Sequence, residues 1–156
     1  QIEQWLTGRL GDWFEEFEVV TDREEITVMG RLSDDGLTDE NARAGRIARF
    51  REQTREERIG IARELERATG RKVAWGVRCG PDERVFTRLS VPVMTRLKQD
   101  DRRVLDTLVQ AGVARSRSEA LAWCVRLVGQ HEADWLGELR DAMQSVAAVR
   151  EQVPKL

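Results

Sequence analysis

The chain has 156 residues, 40% of them hydrophobic and 35% charged, enough apolar material to bury a core as one domain or two small ones and too much for wholesale disorder. No stretch of about 18 apolar residues offers a membrane-spanning helix, and no basic-then-apolar leader reads as a signal peptide, although Gln in first place leaves a trimmed start open. The net charge of −2 conceals an uneven distribution: residues 1–40 carry −9, 41–72 carry +5, 73–128 carry +4 and 129–156 carry −2, so the ends are acidic and the middle is basic.

Residues 4–17 set Trp5, Leu6, Leu10, Trp13, Phe14 and Phe17 among polar residues and are broken by Gly8 and Gly11, which predicts a short, interrupted helix packing by its aromatics. Residues 25–32 alternate as a strand, and Asp34-Asp35-Gly36 turns the chain. From 41 to 69 the spacing predicts one long helix with Ile47, Phe50, Ile61, Leu65 and Ala68 in a stripe, Arg49, Arg63 and Arg67 opposite it, and Gly70 closing it. Strands over 72–79 and 84–90 follow, joined through Gly80-Pro81-Asp82-Glu83. The expected order is βαββ, with a right-handed crossover placing the first two strands side by side under the helix. These blocks also resemble a group of uncharacterised actinobacterial proteins, a resemblance that implies no activity. A protein or small-molecule effector site is the expectation for this accessory domain, residues 1–91.

Beyond Pro92 the chain alternates again, with Val93, Thr95 and Leu97 facing one way and Met94, Arg96 and Lys98 the other. A helix of about three turns comes next, carrying Val104, Leu105, Leu108 and Ala111 on one face, opened by an Asp that can cap and closed by Gly112. Ser116 and Glu119 then form an S-x-x-E capping box, so a second helix starts near Ser116. The free N–H groups and positive dipole end of such a helix favour a phosphate, and Arg115 and Arg117 flank them. An ordinary helix–helix corner is the plainer explanation of the same residues.

The order strand, helix, corner, helix over residues 93–128, with Thr95-Arg96-Leu97, Val104 to Val109 and Ser116 to Leu121 as its blocks, resembles the ribbon-helix-helix DNA-binding proteins. The resemblance implies a homodimer whose paired strands form a ribbon in the major groove of double-stranded DNA. It also implies that Met94, Arg96 and Lys98 face base edges while Arg115, Ser116, Arg117 and Ser118 hold the backbone. Arg96 alone has a donor fork suited to guanine. A second register stays open, with the ribbon at 86–91, Phe86, Arg88 and Ser90 outward, and a longer first helix from 92 to 111.

Past the module, residues 129–156 form the C-terminal segment. Leu121, Val125, Val128, Trp135, Leu139, Ala142, Val146 and Val149 recur near every 3.5 residues, a heptad seam that either packs on its own domain or pairs with another chain to build a higher oligomer. Gly129 and Gly137 are the places where a kink is expected.

Several absences narrow the chemistry. His131 is the only histidine, which removes a two-His zinc site and leaves a Ser-His pair to a segment that looks exposed. The glycines form neither a dinucleotide fingerprint nor a P-loop. Glu15, Glu16, Glu18, Asp22, Glu24 and Glu25 lack the order of a metal or acid–base site and read as a solvated face. Cys79 and Cys124, far apart and outside any C-x-x-C, read as reduced, buried thiols of an intracellular protein. The expectation is therefore an α+β protein, not an enzyme, without cofactor or metal: a cytoplasmic, nucleoid-associated regulator with its DNA-binding module at residues 92–128. The rival is an adaptor or antitoxin-like partner that uses the same module only to dimerise.

Overall fold

The computed structural model describes residues 1–151 as a mixed α+β protein in two compact units, Gln1–Val93 and a second beginning at Met94. The first unit runs α1 (Ile2–Leu10), a 3-10 turn (Gly11–Trp13), β1 (Glu16–Thr21), β2 (Glu25–Leu32), α2 (Glu40–Gln53), α3 (Arg55–Thr69), β3 (Lys72–Cys79) and β4 (Asp82–Val85). Its four strands lie in the order β1-β2-β3-β4, with β2 and β3 parallel and the outer pairs antiparallel. Parallel neighbours need a long connection, and α2 with α3 supplies it.

Alternation along the strands decides which side is core. Ile26, Val28 and Leu32 of β2 and Val73, Trp75, Val77 and Cys79 of β3 are buried against Leu6 and Leu10 of α1, Ile47 and Phe50 of α2 and Ile61 and Leu65 of α3. The opposite face is polar at its rim: Arg78 bridges Glu18 at 2.7 Å and Glu83 at 2.9 Å, and Arg31 pairs with Glu16 at 3.0 Å. Phe14 lies so close over Gly30 that a Cβ there would fall 2.2 Å from its ring, and Phe14 in turn packs on Phe50 at a ring separation of 5.2 Å. Glycine is thus required in mid-strand for close approach.

Five expectations for this unit are corrected. The helix over 4–17 ends at Leu10, because Gly11 turns the chain at φ +54°, and Phe17 belongs to an extra strand whose alternation (Phe17 and Val19 half-buried between exposed Glu16, Glu18 and Val20) competes with the helical pattern. The βαββ order therefore becomes ββααββ. The long helix over 41–69 is interrupted at Thr54 (φ −95°, ψ 3°), whose hydroxyl donates to the Phe50 carbonyl at 2.7 Å. Such back-bonding competes with the regular ladder. Ala68, placed in the apolar stripe, is exposed. Finally, the strand over 84–90 is shorter and earlier: β4 stops at Val85, and the Phe86 N–H donates to the Trp75 carbonyl at 2.7 Å while its ring turns inward against Phe50.

The second unit holds α4 (Gln99–Gln110), α5 (Arg117–His131) and α6 (Ala133–Glu151). Leu105, Ala114 and Ala120 are its buried apolar centre, with Leu97, Leu108, Val109, Leu121 and Cys124 packed around them. A core so small leaves much uncovered: Val104, Val113, Val125 and Val128 are exposed. On α6, Trp135, Leu139, Ala142, Val146 and Val149 are exposed as well, and the break before it falls at Glu132 (φ −113°, ψ 27°) rather than at Gly129 or Gly137. The last residues of the segment predicted over 129–156 lie outside the described residues.

Candidate nucleic-acid interface

The corner between α4 and α5 is built from backbone upward. Gly112, at φ +75°, takes the left-handed conformation that ends α4; its N–H donates to the Val109 carbonyl and the Val113 N–H to that of Leu108, the paired bonds of a Schellman motif. Ser116, extended at φ −150°, then caps α5, its hydroxyl accepting the Glu119 N–H at 3.1 Å. The other half of the capping box differs from expectation. Glu119 reaches past the cap and accepts the backbone N–H of Arg115 at 2.8 Å.

The two arginines of the corner are occupied by carboxylates. Arg115 contacts Glu119 through Nε at 3.2 Å, and Arg117 grips Asp106 of α4 with both prongs, Nε to Oδ1 at 2.7 Å and Nη2 to Oδ2 at 2.8 Å. Bidentate geometry makes the second the stronger bond. Arg117 holds the Asp106 carboxyl below the usual carboxylate range, and the Arg115 N–H, followed by its guanidinium, does the same for Glu119. Arg115, Ser116, Arg117 and Ser118 are exposed together on one turn, so the structure brings the predicted backbone-holding residues to one place with the helix N-terminus. Asp106 is the site residue that sequence reasoning missed, because the eleven positions separating it from Arg117 span a corner with no fixed period.

In the single chain residues 93–97, where the ribbon of two copies is expected, form no strand, and in the other register, 86–91, Phe86 packs against the core instead of pointing outward. Ladder bonds need a second strand, and among the described residues this segment pairs with none. Met94, 95% exposed, Arg96 and Lys98 all face solvent, while Leu97 is half-buried against the core of the second unit. Lys98 serves as the N-cap position of α4, in place of an Asp expected to cap two residues further on; Asp100 and Asp101 occupy the first turn, where carboxylates favour the dipole.

Among the described residues no cluster of His, Cys, Asp and Glu is arranged to hold a metal ion, and no helix is long and apolar enough to cross a membrane. Cys79 and Cys124 are both free thiols, the first fully buried and raised in pKa by that burial.

Fold and corner together define a two-unit α+β protein: a helix-backed four-stranded sheet, then a helical unit with an exposed, capped corner. The chain belongs to the Rv1265-like protein family: residues 1–85 match the family's N-terminal domain, and residues 98–150 match the Mb1296 C-terminal domain. It is 54% identical to the uncharacterized protein Mb1296 of Mycobacterium bovis and to the uncharacterized proteins Rv1265 and MT1303 of Mycobacterium tuberculosis, over 98% of this chain and 70% of each relative. No solved structure matches the chain significantly.

Proposed function

We propose that this protein is a cytoplasmic, nucleoid-associated DNA-binding regulator, active as a homodimer, in which residues 93–97 of two copies pair into an antiparallel ribbon that reads the major groove. The observation that carries the reading is the exposed apolar surface of the second unit: Met94 is 95% exposed, and the helices after it carry the apolar residues Val104, Val113, Val125 and Val128 without cover. A second copy supplies both a partner strand and the missing half of the core. Met94, Arg96 and Lys98 would then line the outer ribbon face, and the α5 corner would hold phosphate. The seam on α6 extends the same logic to a higher oligomer.

Binding-site selection tests it. The wild type should select a sequence, Arg96→Ala should relax preference at one position per half-site, by about 1–3 kcal/mol of discrimination, and Arg88→Ala should change little. Val125→Asp should abolish both the dimer, read by sedimentation, and the selection. A wild-type protein that stays monomeric at micromolar concentration, or selects no sequence, rejects the reading.

One observation favours a second reading. Arg115 and Arg117 are already neutralised by Glu119 and Asp106, which suits an adaptor or antitoxin-like protein that dimerises through this unit without holding phosphate.

A further inference from the structure

The break between α2 and α3 creates an unusual cationic environment within the first unit. Arg58 is only 7% exposed, yet among the described residues no carboxylate pairs with it. Its Nε donates to the Thr54 hydroxyl at 3.0 Å and its Nη2 to the Arg51 carbonyl at 2.6 Å, and its guanidinium lies 5.0 Å from the centre of the Phe86 ring. Those bonds staple the helix junction, but they leave the charge itself without a counterion. Burial, followed by the nearby charges of Arg51 and Arg55, disfavours its protonated form. A buried cation kept among other cations is costly unless an anion joins it.

The same residues line a cleft of about 810 Å³ between α2, α3 and the end of β4. Its lining mixes Arg51, Arg55, Arg58 and Arg84 and the single acid Glu52 with the apolar Ile47, Ile59 and Phe86, and the Arg51 and Arg58 guanidinia lie 5.5 and 5.0 Å from the centre of the Phe86 ring. That volume lies in the range of small-molecule sites. Planar guanidinium forks match phosphate oxygens, and with Arg55 bridging Glu56 at 3.6 Å and Glu52 on the lining the four arginines still carry an excess of positive charge. The apolar Ile47, Ile59 and Phe86 among them suit a ligand with a body as well as a charge.

We infer that this cleft binds a phosphate monoester with a ring-bearing body, of the size of an aryl phosphate or a nucleoside monophosphate. Both sources share a dianionic head for the arginines and a flat body for the apolar residues among them. Arg96 does not line the cleft, so this site stands or falls independently of the DNA reading.

Calorimetric titration of the full chain with phenyl phosphate, AMP, inorganic phosphate, benzoate and adenosine tests it. Phenyl phosphate or AMP, whichever source fits, should bind at least tenfold more tightly than inorganic phosphate, benzoate or adenosine. Arg55→Glu and Arg84→Ser, at exposed positions of the lining, should each weaken that binding at least tenfold with the thermal transition unchanged, and Arg58→Met should abolish it in whatever fraction folds. Equal affinity for benzoate or adenosine, unaltered affinity in both exposed-arginine variants, or no response to either ester at millimolar concentration overturns the proposal. So does a cleft that responds only to an oligonucleotide.

Discussion

Arg117 and Asp106 lock α4 to α5 through two parallel hydrogen bonds, 2.7 and 2.8 Å long, across the turn that Gly112 and Ser116 build. The guanidinium that would meet a phosphate is thus held in advance by a carboxylate, and any anion arriving at the corner must compete with it.

Asp106→Asn should therefore raise affinity for DNA of any sequence a few-fold, because the competing charge is gone while the side chain's shape is retained. Arg117→Ala should lower it, again without regard to sequence, and reduce the salt slope by about 0.9 per lost phosphate contact. Salt titrations of both variants check this. Unchanged slopes in both would make the corner purely structural.

The corner should also be acid-sensitive. Both carboxyls are held below their ordinary values, about 3.9 for Asp and 4.3 for Glu, so their contribution to stability is present at neutral pH and is lost as pH falls through the lowered folded-state pKa. Carboxyl chemical-shift titration should place both midpoints below the ordinary values, with α5 fraying from its N-terminus in acid. Asp106→Asn together with Glu119→Gln should remove that acid transition, and a midpoint at or above the ordinary value for either group contradicts the geometry.

In the sheet, Gly30→Ala should destabilise the first unit by about 1–3 kcal/mol, since a Cβ placed 2.2 Å from the Phe14 ring forces that ring away from Phe50. Urea denaturation followed by tryptophan fluorescence reads the loss. Gly8→Ala, where the added Cβ meets nothing within 4 Å, serves as the control and should not be destabilising.

Thr54→Val keeps the shape of the helix junction but removes the acceptor for Arg58 Nε, leaving a buried donor unpaired. The expected cost is about 1–3 kcal/mol by chemical denaturation. A loss below about 0.5 kcal/mol would mean that the Arg58 bond to the Arg51 carbonyl suffices by itself.

The strands over 25–32 and 72–79 were legible residue for residue, because their alternation is uninterrupted and Gly70 marks the turn before the second. The corner was legible for a similar reason: Gly112, Ser116 and Glu119 act through bonds that span three to five positions, a range that sequence spacing describes directly. Gln4 to Phe17 was not, since its aromatics satisfy a helical pattern up to Leu10 and a strand pattern from Glu16, and only the vacant edge of β2 decides between them.

Local chemistry, set by neighbours a few residues apart, was thus determined by the sequence alone: the mixed α+β class, the two central strands, and the Gly112 and Ser116 ends of the α4–α5 corner. Tertiary structure decided what depends on distant partners. It broke the helix at Thr54 around buried Arg58, turned Phe86 inward and gave Arg117 to Asp106. A hydrogen-bond ladder or an ion pair needs a second group at the right place in space, and its separation along the chain carries no period from which that place can be read.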